Sequence, residues 1–275
     1  MAEYSESGVD VQVVCTIPVM FSYDAKPNDA LELGRFLNDH IAGLVTKYPK
    51  NYVGLCTVPL QDVTLAIQEL ERAKSIGFAG VQIGSNVNGL NLNEPQFFPF
   101  FEACSRLGMS VLVHPWDMMG KSQMEKYWLP WLVGMPAEMS RAACSMIFGG
   151  VFERLPNLRV LFSHASGAFL ATLGRIEHGF NCRPDLVAID NNVNPRAYLG
   201  KFWVDSITHD ARLLKYVIEM QGTDRICMGT DYPFPLGDLK FGEYMEKMNL
   251  SHPDLENLFH SSALSWLDLD LDKFK

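Results

Sequence analysis

Short apolar runs recur along the chain, and each closes on a small, polar or charged residue. They fall at 11–17 (VQVVCTI), 52–57 (YVGLCT), 79–84 (AGVQIG), 110–114 (SVLVH), 159–163 (RVLFS), 202–206 (FWVDS) and 226–230 (ICMGT). Near-continuous apolar runs of this length predict strands buried on both faces, as in a parallel sheet. The gaps carry apolar residues at helical spacing. The stretch 62–76 opens on a capping-type Asp62 and stops at Gly77, and 137–153 and 210–220 have the same character. Strand and helix alternate from end to end, which predicts an α/β fold with parallel strands. With no repeat, low-complexity segment or linker, residues 1–275 read as a single domain. The count is about seven βα units, one short of the eight of a closed (β/α)8 TIM-type barrel. Only about ten residues precede the first run, so the expectation is a barrel chain lacking its first strand and helix.

Three of the runs end on groups with chemistry. Val111-Leu112-Val113 ends at His114, Val160-Leu161-Phe162-Ser163 at His164, and Met228-Gly229-Thr230 at Asp231. In α/β barrels ligands sit where the strands end. Two imidazoles and a carboxylate on three such ends can converge as a divalent-metal site with a position open for water. Each residue also has a plainer reading. His114 is either a structural strand end or a ligand, and Trp116, Tyr127, Trp128 and Trp131 follow it as an aromatic-rich segment able to line a pocket. His164, in Ser163-His164-Ala165-Ser166-Gly167, is either an incidental member of a helix-capping turn or a general base beside a metal-bound water. Asp231 either caps the next helix or ligates; Pro233 and Pro235 stiffen the loop behind it. Arg175 either pairs with Glu177 or binds a carboxylate. His178 and His209 read as structural, and His40, His252 and His260 as surface helix residues.

Composition narrows the function classes. The chain has 275 residues, is 48% hydrophobic and carries a net charge of −9. It can bury a large core, and without a basic patch it is not expected to bind nucleic acid. Cys15, Cys56, Cys104, Cys144, Cys182 and Cys227 are widely spaced with no CxxC pair, the usage of a reducing cytosol. The opening Met1-Ala2-Glu3-Tyr4-Ser5-Glu6 does not read as a signal peptide, and no apolar run reaches membrane-spanning length.

Longer motifs are recognisable. Thr16-Ile17-Pro18-Val19-Met20-Phe21-Ser22-Tyr23, Gly80-Val81-Gln82-Ile83-Gly84, the run from His114-Pro115-Trp116-Asp117-Met118 through Tyr127-Trp128-Leu129-Pro130-Trp131-Leu132-Val133-Gly134-Met135-Pro136, and Gly229-Thr230-Asp231-Tyr232-Pro233-Phe234-Pro235-Leu236-Gly237 resemble the decarboxylases of the amidohydrolase superfamily that act on 2-amino-3-carboxymuconate 6-semialdehyde in tryptophan catabolism. The resemblance implies a (β/α)8 barrel, a zinc ion, a small anionic substrate and a cytosolic homodimer. It implies His114 and Asp231 as zinc ligands, with Asp231 also in the catalytic centre, and His164 as the catalytic histidine. It also implies Trp131 and Met118 in the substrate pocket and Arg175 as a carboxylate-binding residue reaching across the dimer. The family often has HGGG where this chain has His164-Ala165-Ser166-Gly167. The family's leading His-x-His strand and a second substrate arginine have no counterpart, since no His precedes His40. By that comparison zinc would be weakly held and the chain a poor enzyme, or a non-catalytic form acting through subunit association. A two-metal hydrolase of the superfamily is disfavoured, because Val81-Gln82-Ile83-Gly84-Ser85 lacks the bridging Lys such enzymes use.

Overall fold

A computed structural model describes residues 8–238, 240 and 242–275 of the chain. The apolar runs form one parallel sheet of seven strands: β1 (Gln12–Val14), β2 (Tyr52–Cys56), β3 (Gly80–Gly84), β4 (Ser110–His114), β5 (Val160–Phe162), β6 (Trp203–Asp205) and β7 (Ile226–Cys227), hydrogen-bonded in chain order. β2 and β3 are buried along their whole length, as continuous apolar runs require. Among the described residues, β1 and β7 are the two ends of the sheet.

Helices α1 (Pro27–Lys47), α2 (Val63–Ser75), α3 (Phe98–Leu107), α4 (Met135–Phe148), α5 (Phe169–Cys182) and α6 (Ala211–Gln221) are the main helical elements between the strands. Asp62 caps α2 by accepting the Leu65 N–H at 3.0 Å, and Asp210 caps α6 in the same way. Phe152, Phe162, Phe169 and Phe202 pack ring against ring in the core. The buried carboxylate of Glu69 is held by Asn38, Arg35 and Arg72, which ties α1 to α2.

Three expectations shift. The predicted helix 137–153 is two: α4 ends at Phe148, Gly150 takes φ +69, and a separate turn covers Val151–Arg154. A left-handed residue breaks a helix, and glycine adopts it without a Cβ clash. The first strand stops at Val14 instead of residue 17, because the chain turns into a 3₁₀ segment opened by Pro18, which has no N–H to give the ladder. The last stops at Cys227 instead of residue 230. Beyond it, the Met228 N–H bonds Leu258 O at 3.1 Å and the Gly229 N–H bonds Ser206 Oγ at 3.1 Å.

Glycine is required where β3 meets β4. A Cβ on Gly80 would collide with the Ser110 carbonyl oxygen and stand 2.9 Å from Leu55 Cδ2. Gly80→Ala is therefore expected to destabilise the protein by about 1–3 kcal/mol, the usual range for overpacking a close-packed interior. Thermal unfolding would read this as a lower Tm, and an unchanged Tm would show that β3 and β4 can separate at little cost.

Candidate active site

Register brings the chemistry to one face. In the parallel ladder Gly84 pairs with His114, and the Ser85 N–H donates to the His114 carbonyl at 2.8 Å, which anchors the end of β4. His114 Nδ1 lies 3.0 Å from the Pro115 carbonyl oxygen. A carbonyl can only accept, so Nδ1 carries the proton and Nε2 keeps its lone pair for a ligand.

His164 follows β5 in a turn of unusual backbone. His164, Ala165 and Ser166 have φ of 54°, 51° and 62°, three successive non-glycine residues in the left-handed region. Asp205 at the end of β6 braces this turn. Its Oδ2 accepts the His164 N–H at 2.7 Å, and its Oδ1 accepts the N–H groups of Ala165 at 2.9 Å and Ile207 at 3.0 Å. Asp231 follows β7, also left-handed at φ 52°, with a cis Tyr232–Pro233 bond behind it.

His114, His164 and Asp231 each offer a ligand atom within 4.8 Å of the others, and the two imidazole rings stand edge to face at 5.2 Å between centroids. Burial, with the neighbouring His164, pushes the His114 pKa down to about 3; burial, with His209, pushes that of His164 down to about 4. Both rings are therefore neutral near pH 7, the form that binds a metal or takes up a proton. Burial, with the Asp205 charge, raises the Asp231 carboxyl to about 6. Two imidazoles and a carboxylate at this spacing suit a divalent cation of the zinc or manganese kind.

The three residues stand in a cavity of about 1130 Å³ whose walls are mainly apolar. Met118, Trp128 and Trp131 line it, and the indoles of Trp128 and Trp131 stack with centroids 5.8 Å apart. The loop carrying Met118 is pinned from behind. Buried Glu138 of α4 accepts the Met119 N–H at 2.8 Å and the Ser85 hydroxyl at 2.9 Å, and Ser85 Oγ accepts the Trp116 N–H at 3.0 Å.

Arg175 is placed differently. It stands exposed on α5 and is not among the residues lining the cavity of its own chain. The expected pairing with Glu177 does not form; that carboxylate pairs with Arg196 at 2.7 Å. His209, read as structural from the sequence, lines the cavity at φ 56°. His178 is exposed on α5 beside Cys182, and His40, His252 and His260 are exposed as expected. Asp205 and Glu138 went unnoticed in the sequence. Asp205 had a signal, because Phe202-Trp203-Val204 closes on it as the other runs close on their functional residues. Glu138 had none, being one acid among many in a helix.

The sequence model of the amidohydrolase family matches residues 14–269. The chain is 54% identical over 274 residues to 2-amino-3-carboxymuconate-6-semialdehyde decarboxylase of Dictyostelium discoideum, covering 99% of this chain and 76% of that protein. It is 36% identical to the enzyme of the same name from Caenorhabditis elegans, covering 98% of this chain and 80% of that protein. The fold superposes with a TM-score of 0.88 on 5-carboxyvanillate decarboxylase from Novosphingobium aromaticivorans, complexed with manganese, at 24% identity and over 98% of this chain and 79% of that one. The parallel sheet, the strand-end cluster and these matches agree that the chain belongs to the amidohydrolase family, with the 2-amino-3-carboxymuconate-6-semialdehyde decarboxylases as its group within it.

Proposed function

We propose that the protein is a zinc-dependent, non-oxidative carboxy-lyase that converts 2-amino-3-carboxymuconate 6-semialdehyde to 2-aminomuconate 6-semialdehyde and CO2 in tryptophan catabolism, diverting flux from quinolinate and NAD synthesis. The observation that carries this reading is the convergence of His114, His164 and Asp231 within 4.8 Å in a large cavity. The names of its relatives supply the substrate.

His114 and Asp231 would hold the ion, and His114 Nε2 is the nitrogen free to do so. Bound there, a divalent ion supplies a Lewis acid that lowers the pKa of water and stabilises developing negative charge. The protein's own groups handle the proton. When the C–C bond to the carboxylate breaks, its electron pair stays on the substrate carbon, and that carbon must be protonated. His164, neutral and beside the cluster, takes up a proton from solvent water on its ring nitrogen and gives it to that carbon, so each turnover releases one CO2 and consumes one proton from solvent. Trp131 and Met118 form the apolar wall that keeps bulk water from the carbanion-like carbon.

The substrate is an anion and the chain is acidic, so its carboxylates need local cations. In a homodimer, Arg175 on the exposed face of α5 is available to a neighbouring subunit's cavity, where its planar guanidinium suits bidentate carboxylate binding. Arg175→Ala is expected to raise KM roughly 10-fold or more, the loss of one charge-assisted contact, with metal content unchanged. Full activity of a strictly monomeric preparation would contradict the cross-subunit role. A cytosolic location belongs to the same reading; among the described residues no helix is long and apolar enough to cross a membrane. Purified protein assayed for CO2 release from the semialdehyde, with its metal identified by elemental analysis, tests the whole reading. Absence of turnover in metal-replete protein would overturn it.

A further inference from the structure

We propose that Asp205 is a positioning residue for His164, holding the imidazole in its working orientation by clamping the backbone of the turn that carries it. This rests on the reading of His164 as the group that moves the proton. The side chain of Asp205 is buried at 6% exposure, and its two oxygens accept three backbone N–H groups from two different loops. Two of the three belong to His164 and Ala165, and both of these residues are left-handed. L-residues with a Cβ rarely adopt that conformation, and a run of three persists only where the surroundings impose it. The third N–H, from Ile207, ties the carboxylate to the loop after β6, so Asp205 is itself fixed. Gly229 leaves room for it: a Cβ there would stand 2.8 Å from Asp205 Cβ. The ring of His164 faces His114 and Asp231 only while this turn keeps its shape, and among the described residues no other side chain is found accepting the His164 and Ala165 N–H groups.

A carboxylate is required here because all three partners are donors. In Asp205→Asn the remaining oxygen can accept two N–H groups, but the new NH2 faces the third, donor to donor. The variant is expected to lower kcat roughly 10–100-fold, the scale of small misplacements of a catalytic group. KM and metal content should change less than about 3-fold, because only an interaction used in the transition state is lost. In a His164→Ala background the same substitution should cost less than about 3-fold, since residues acting as one unit are not additive. Hydrogen exchange of the His164 and Ala165 amides should accelerate, and this reads the clamp whether or not the reaction is assigned correctly.

Should Asp205→Asn fail to fold, Ala165→Gly combined with it removes one left-handed Cβ and eases the turn; the same kcat deficit is expected from the pair. Wild-type kcat in either variant, a full additive loss in the His164→Ala background, or unchanged amide exchange would overturn the proposal. Faster exchange in a protein whose wild type does not decarboxylate would leave the clamp standing and remove the catalytic reading instead.

Discussion

His164→Ala is expected to lower turnover by roughly 10²–10⁴-fold, the usual contribution of a positioned proton-transfer group, while the protein keeps its fold. The fold should survive because the next residue, Ala165, already occupies the same left-handed region at φ 51°. His164→Asn is the companion variant: asparagine tolerates positive φ better than most residues, so the two variants together separate loss of the imidazole from disturbance of the turn. Both should bind substrate with a KM close to wild type, because a proton-transfer group acts mainly in the transition state. Turnover within a few-fold of wild type in both would show that His164 only shapes the turn.

Asp231→Ala is expected to be at least as damaging, by a different route. Among the described residues it is the one carboxylate of the cluster with His114 and His164. Loss of an outer-shell partner commonly costs 10–100-fold in metal affinity, and loss of a direct ligand should exceed that. The variant should therefore be isolated with a small fraction of the wild-type metal, and its activity should fall in the same proportion. Adding millimolar zinc should restore part of the metal before it restores activity, since charge balance and orientation at the ion are not recovered. Wild-type metal content with wild-type activity would place the ion elsewhere. The two variants give opposite signatures: His164→Ala keeps the metal and loses turnover, and Asp231→Ala loses both.

Much of this molecule is local information. Each strand was visible as a run such as Val111-Leu112-Val113 or Val160-Leu161-Phe162, because a strand buried on both faces needs an apolar residue at every position. Asp62 and Asp210 announced their helices, because a cap is a bond between a side chain and an N–H two or three residues away. That His114, His164 and Asp231 sit at strand ends followed from the same runs. The boundaries were less visible: where β7 stops depends on partners as distant as Ser206 and Leu258, and the break in the helix after Phe148 depends on how Gly150 resolves its φ.

Tertiary structure alone decided what those residues do together. The approach of His114, His164 and Asp231 to within 4.8 Å is set by the register of parallel strands and the curl of the sheet, neither of which has a local signature. Arg175 turned outward and Glu177 found Arg196 instead, because the choice between two nearby cations is made by packing and not by spacing. His209 reached the cavity for the same reason. Asp205 lies 41 residues from His164, and only the folded sheet makes its carboxylate the acceptor for that turn. Sequence by itself determined which segments are strands and helices and which residues stand at their ends, since those properties come from neighbours along the chain. The site came from contacts between residues remote in the chain, and those exist only once the sheet has closed its register.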